Sequence, residues 1–253
     1  MTAEAGAHQA GATGPDVVEV PLLSARSVAL SLLLGSHLDR MSAARLVAAG
    51  EHFGVPTPTM RVALTRAVAG GDLVRDGSSY ALAPRLAERQ RRQDEALDVD
   101  AATTPWDGSW ELAVVVVTGR PGGERATLRD LLRDARLAEQ REGVWTRPAN
   151  LRREPAYRAD PVLASWRGVP DADPALLAAS LWDLDGWADV GRSLEDRLRT
   201  TDDPAVRLAV AAAVVRHLTT DPLLPVELCP AGWPGAAMRA AYRDYQDELR
   251  ALA

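Results

Sequence analysis

Gly54-Val55-Pro56-Thr57-Pro58-Thr59-Met60-Arg61-Val62-Ala63-Leu64-Thr65-Arg66-Ala67-Val68-Ala69-Gly70-Gly71 carries the signals of a helix set between two glycine turns. Thr57 can cap a helix with Pro58 in its first turn, where a missing N–H leaves no hydrogen bond unmade. Gly70-Gly71 then stops it, as glycine commonly does just past a helix end. Met60, Leu64, Ala67 and Val68 fall on one stripe, so that face packs inward. The opposite face carries Pro58, Val62, Thr65, Arg66 and Ala69, with Thr59 on one border and Arg61 on the other.

Two apolar-periodic runs precede this helix. Ser24 caps the first, which reaches Leu38 with Val28, Leu32, Leu34 and Leu38 at helical spacing. Ser42 caps the second, from Ala43 to about Phe53, and Gly54 ends it. Two helices, a glycine turn and a third helix form the helix-turn-helix pattern. Next, Asp72-Leu73-Val74-Arg75 and Tyr80-Ala81-Leu82 read as strands around the turn Asp76-Gly77-Ser78-Ser79. A helix-turn-helix followed by a hairpin predicts a winged helix.

A winged helix holds DNA through its third helix and its wing, which makes Thr57, Thr59, Arg61, Val62, Thr65 and Arg66 candidate contacts, with Arg75, Ser78 and Ser79 at the wing. Arg66 and Thr65 are best placed for base edges or phosphates. Arg61 lies nearer the packed stripe, and bracing the domain through carbonyls is an equal alternative for it. For Arg75 the alternative is a solvated strand edge. The segment from Pro84 to about Leu97 reads as a charged linker helix. Its Arg85, Arg89, Arg91 and Arg92 have Glu88, Asp94 and Glu95 within one turn of some of them. Salt-bridged solvation is its first reading and contact with flanking DNA its second.

The chain has 253 residues, 47% hydrophobic and 25% charged, a composition that fits a globular protein of one large or two to three small domains. No stretch approaches the roughly 18 apolar residues of a membrane span. The first residues lack the basic start and apolar block of a secretory signal, so residues 1–20 read as a disordered lead-in. A lone Cys229 excludes an internal disulfide framework and a multi-cysteine zinc site, and a cytoplasmic location is expected. All 29 basic residues are arginine, so every phosphate or carboxylate contact falls to a guanidinium fork. The net charge is −6, but residues 21–92 hold ten arginines against five acids, a balance of +5. Residues 1–20 stand at −3 and the remainder at −8. A basic module on an acidic body is the layout of a protein that presents one end to a phosphate backbone.

Further along, Glu111-Leu112-Ala113-Val114-Val115-Val116-Val117 is a buried strand by length and β-branching. Ala126 to Leu137 is an amphipathic helix with Leu128, Leu131, Leu132 and Ala135 inward, and Val144-Trp145-Thr146-Arg147 returns as a strand. This β-α-β unit opens a ferredoxin-like domain over residues 104–170. Its second half is short, with only Val162 to Trp166 strand-like, so an abridged domain is expected. Residues 171–253 read as helical. Asp173-Pro174 and Asp203-Pro204 look like helix starts, helices run Ala205 to Leu218 and Ala236 to Leu252, and a rigid proline-rich loop spans 221–235.

Four blocks in order resemble the PaaX-like regulators, repressors of phenylacetic acid catabolism. The first joins the run from Arg26 to Leu38, Phe53-Gly54-Val55, Met60 to Arg66 and Gly71-Asp72-Leu73-Val74. The others are Trp106-Asp107-Gly108-Ser109-Trp110, Gly143-Val144-Trp145-Thr146-Arg147-Pro148, and Asp221-Pro222-Leu223-Leu224-Pro225 with Glu227-Leu228, Pro230 and Trp233-Pro234-Gly235. The resemblance implies an α+β chain of winged helix, ferredoxin-like middle and helical C-terminal domain. It also implies a homodimeric repressor on a double-stranded operator, released by an acyl-coenzyme A effector such as phenylacetyl-coenzyme A.

For such an effector, Trp106, Trp110, Trp145 and Trp233 could line an aromatic acyl pocket, with Arg147, Arg207 or Arg216 meeting phosphates. Taken singly, each tryptophan reads first as a packing anchor. The first middle strand ends Val117-Thr118-Gly119-Arg120 with no acid, against a metal-dependent nuclease, which needs clustered carboxylates. No Walker loop, HExxH, GxGxxG or Ser/His/Asp arrangement marks an enzyme, and neither metal nor cofactor is expected. The competing reading is a scaffold whose winged helix binds a protein.

Overall fold

Ser24 starts the first helix as its spacing implies: its Oγ accepts the Ser27 amide at 3.2 Å, and α1 runs Ala25–Ser36. The computed structural model describes residues 19–252 other than His37 and Asp39, so the lead-in lies almost wholly outside the described residues. α1 ends short of Leu38, which sits beyond the helix and is 37% exposed. Ser42 caps α2 (Ala43–His52) by accepting the Arg45 amide, and the chain turns at Gly54 with φ of 73°. α3 is Thr57–Ala69, and its cap is Pro56 rather than Thr57. The Pro56 carbonyl already accepts the Met60 amide at 3.0 Å, which draws Thr57 into the helix.

β2 (Leu73–Asp76) and β3 (Ser79–Leu82) form an antiparallel hairpin, turning at Gly77 with φ of 58°. A third strand joins them. β1 (Met41–Ser42) pairs with β3, Met41 against Tyr80 and Ser42 against Ser79. Two residues are too few to show a period, which is why the sequence hides it. After a single 3-10 turn at Pro84–Leu86, the linker becomes α4 (Ala87–Leu97) and a short α5 (Val99–Ala102).

The middle region is a four-stranded antiparallel sheet in the order β5-β6-β4-β7, made of β4 (Trp110–Val115), β5 (Ala138–Arg141), β6 (Val144–Pro148) and β7 (Leu163–Gly168). α6 (Gly122–Asp134) crosses from β4 to β5, starting and ending earlier than its apolar pattern suggests. The second crossover, between β6 and β7, holds only the 3-10 turn Ala156–Ala159, whose Tyr157 is 1% exposed. Along β4, alternate residues serve two faces. Ala113 and Val115 pack with Leu128 and Leu132 of α6, whereas Trp110 and Leu112 pack with Ala178, Leu184 and Leu228.

Aspartates start the C-terminal helices. Asp173 accepts the Ala175 and Leu176 amides at α7 (Pro174–Leu181), and Asp183 accepts that of Gly186 at α8 (Leu184–Thr200). Asp203 accepts the Val206 amide at α9 (Pro204–Leu218), and α10 (Gly235–Leu252) follows the proline-rich loop. These helices are not a separate body from the N-terminal module. One apolar core joins Val28, Leu32 and Leu33 of α1 with Leu208 and Val214 of α9 and Tyr242 and Leu249 of α10.

α1 and α10 approach closely at Gly35, where an added Cβ would come within 2.8 Å of Leu249 Cδ2. Gly35→Ala is expected to be near neutral, because the Leu249 tip can yield and alanine favours the helix by about 1 kcal/mol. Gly35→Leu is expected to lose roughly 1–3 kcal/mol by overpacking. Urea unfolding of the two variants measures both.

Candidate nucleic-acid interface

α3 divides by face as its spacing requires. Met60, Leu64 and Ala67 are at most 1% exposed, and Ala63 is buried beside them, while Val68 is only partly covered. Pro58, Thr59, Arg61, Val62, Thr65 and Arg66 are all exposed. The Thr65 hydroxyl donates to the Arg61 carbonyl at 3.1 Å and so lies along the helix. Among the described residues, neither the Arg61 nor the Arg66 side chain takes part in an ion pair or hydrogen bond. Bracing through carbonyls is therefore not what Arg61 does here.

The remaining candidates are tied down to different degrees. The Thr57 hydroxyl donates to the Glu51 carboxylate. Arg75 Nε donates to the Gly77 carbonyl at 2.9 Å, which stiffens the hairpin turn. Ser78 keeps an exposed side chain while its carbonyl accepts the Ala43 amide at 2.8 Å. Ser79 pairs with Ser42 and is half-buried. The exposed candidates are thus Thr59, Arg61, Val62, Thr65 and Arg66 on α3, with Arg75 and Ser78 on the hairpin. In the linker, Arg91 pairs with Glu95 one turn on, as expected. Arg92 reaches Asp134 at the end of α6, at 2.8 Å. The Glu88 side chain lies outside the described residues.

A residue that sequence reasoning missed holds the hairpin in place. Asp72 is buried at the foot of β2 and accepts from Arg26 of α1 and from Arg85 just after β3. Burial pushes its carboxyl up, but the two guanidinium groups together outweigh that and hold it below its usual value. Its partners lie 46 and 13 residues away, so no local pattern announces them.

The tryptophans and arginines expected to bind an effector do not form one pocket. Trp110 and Trp145, both at most 2% exposed, fall in different cores on opposite faces of the middle sheet. Trp106 packs near Trp110 and donates to the Ser109 carbonyl at 2.7 Å. Trp233 stacks on Trp187 at 4.3 Å between ring centroids. Arg147 is fully buried and every N–H is used, on the carbonyls of Pro148, Arg136, Pro222 and Leu223 and on Asn150 Oδ1, so no donor is left for a phosphate. Arg207 is committed to Glu248 through both terminal nitrogens, and its Nε donates to the Leu198 carbonyl. Of these residues, Arg216 alone is an exposed cation without an ion pair among the described residues.

Residues 182–253 match the model of the PaaX-like protein C-terminal domain. The chain belongs to the PaaX-like family. Among solved structures it is similar to the uncharacterized protein Rv0674 from Mycobacterium tuberculosis, at 44% identity and a TM-score of 0.79. That match covers 90% of this chain and 97% of the other. None of the curated proteins matches it. PaaX-like proteins are a family of transcriptional regulators. No helix among the described residues is long and apolar enough to cross a membrane, and no group of three or more of their His, Cys, Asp or Glu side chains could hold a metal ion.

Asp72 carries a pH dependence. A carboxyl held below its usual value in the folded state stabilises the fold above that value, and the contribution disappears as pH falls through the folded-state pKa. Asp72→Asn is therefore expected to lower the melting temperature at pH 7. The gap from the parent protein should narrow as the pH drops below about 4, in thermal melts by circular dichroism.

Proposed function

We propose that this PaaX-like protein is a sequence-specific DNA-binding transcriptional repressor, acting in the cytoplasm as a homodimer and without enzymatic activity. In this reading residues 21–98 are a winged helix-turn-helix module with its linker helix, residues 104–170 an abridged ferredoxin-like domain and residues 171–253 a helical domain. A small acyl ligand, such as an aryl-coenzyme A thioester, releases the operator. The observation that carries the DNA reading is the outer face of α3. An inner face of Met60, Leu64 and Ala67 locks the helix to the protein, and the other half presents Arg61, Thr65 and Arg66 to solvent, the arginines without an ion pair among the described residues.

Helix presentation of this kind suits the major groove, which admits one α-helix and offers guanine O6 and N7 to an arginine fork. Ser78 at the hairpin tip and Arg75 beside it suit the phosphate backbone. Family membership supports the regulatory role, and the charge balance of +5 over residues 21–92 supports the polarity. The effector rests on the resemblance to the family.

Arg66→Ala is expected to weaken operator binding by about 1–3 kcal/mol, close to tenfold or more, with unchanged secondary structure. Fluorescence anisotropy with a labelled duplex from the protein's own upstream region reads this. Unchanged affinity would remove Arg66 from the interface. Salt-insensitive capture of a protein by the same surface would favour the scaffold reading instead.

A further inference from the structure

A second cationic feature lies away from the outer face of α3. Six arginines from three parts of the fold line one cleft of about 770 Å3: Arg85, Arg89 and Arg92 of the linker, Arg133 and Arg136 at the end of α6, and Arg216 of α9. Only two acids share the lining, Asp134 and Asp221, and from outside it Asp72 pairs with Arg85 and Asp130 with Arg133, so the arginines still outnumber the acids around them. Both acids are engaged. Asp134 pairs with Arg92, and the buried Asp221 is gripped by Arg239, which does not line the cleft, at 2.6 Å. Arg89 and Arg216 are exposed and hold no ion pair among the described residues. Arg136 is committed to the fold, donating to the carbonyls of Thr219 and Asp221.

Like charges gathered in one concavity repel, and low-dielectric walls focus their field rather than dispersing it. A structural role explains Arg136 but not Arg89 and Arg216, which pair with no carboxylate among the described residues. The volume falls within the range of small-molecule sites, about 300–1,000 Å3. Guanidinium forks bind phosphate oxygens two at a time, and several converging forks suit a ligand with several phosphate groups. Trp182 also lines the cleft and offers an aromatic surface beside the cations.

We propose that this cleft is a binding site for a small molecule carrying several phosphate groups. Its walls come from the linker that leaves the hairpin and from the body beneath it, so a bound polyanion bridges the two. As the seat of the proposed effector the cleft rests on the reading given above. Anion binding is measured without DNA, however, so the two can fail separately.

The test is isothermal titration of the full-length protein with sodium tripolyphosphate at fixed ionic strength, with citrate as a carboxylate comparison. Saturable binding at one site is expected, with citrate weaker. The double variant Arg89→Ala/Arg216→Ala should weaken tripolyphosphate binding by at least about tenfold, because each lost fork removes charge-assisted hydrogen bonds. Arg192→Ala/Arg250→Ala removes the same charge elsewhere on the surface and should leave affinity within about twofold, since exposed charges farther than a Debye length are screened. Circular dichroism melts verify that both variants fold. The proposal is overturned if saturable binding is absent, if citrate binds as tightly, if the cleft variant matches the parent, or if the control loses as much as the cleft variant.

Discussion

The turn at residues 219–223 is the constraint on which the relative placement of the parts depends. Four of its carbonyls, those of Thr219, Asp221, Pro222 and Leu223, take donors from two arginines and an asparagine, and a third arginine holds the Asp221 carboxylate. Arg147 of β6 reaches Pro222 and Leu223, and Arg136 after α6 reaches Thr219 and Asp221. Arg239 of α10 binds the Asp221 carboxylate and donates its Nε to the Ala96 carbonyl at the end of α4, at 2.7 Å. Asn150 closes the cluster by joining Arg147 to the Leu223 carbonyl. Middle sheet, linker helix and C-terminal helix thus meet on one turn. Arg136 and Leu223 hold left-handed φ angles of 60° and 51°, which side chains with a Cβ adopt only where their surroundings fix them. Burial pushes the Arg147 guanidinium down to about 9, so it stays charged at neutral pH while every donor is occupied.

This arrangement explains why the N-terminal module does not stand alone. Its first helix shares a core with α9 and α10, its linker carbonyl is held by Arg239, and its hairpin foot is held through Asp72 by Arg26 and Arg85. The outer face of α3 takes no part in these contacts. The inner half of the helix and the hairpin foot are fixed, and the half with Arg61 and Arg66 is left exposed.

Much of this was legible in the chain. Ser24, Ser42, Asp173 and Asp203 announced helix starts because a cap needs only one side chain and a nearby amide. The two faces of α3 followed from period alone. β5 was not legible, because Ala138-Glu139-Gln140-Arg141 is a polar edge strand with an irregular register. Asp72 was not, because its partners are remote in sequence. Trp145 misled for a related reason, since Trp106, Trp110 and Trp233 do share one cluster. Motif order brings Trp110 and Trp145 together on paper, but their positions on the paired strands β4 and β6 send them to opposite faces. Arg147 likewise looked available to a phosphate, because sequence does not show that five interior acceptors already claim it.

The role proposed for the exposed half of α3 is to read a specific duplex. It is tested most directly by the affinity of the full-length protein for its own upstream region and for a scrambled duplex across a salt series. A preference for the native sequence of at least about a thousandfold is expected, with affinity for both falling steeply as salt rises. Equal affinity for the two duplexes, or affinity for the native one that ignores salt, would contradict it.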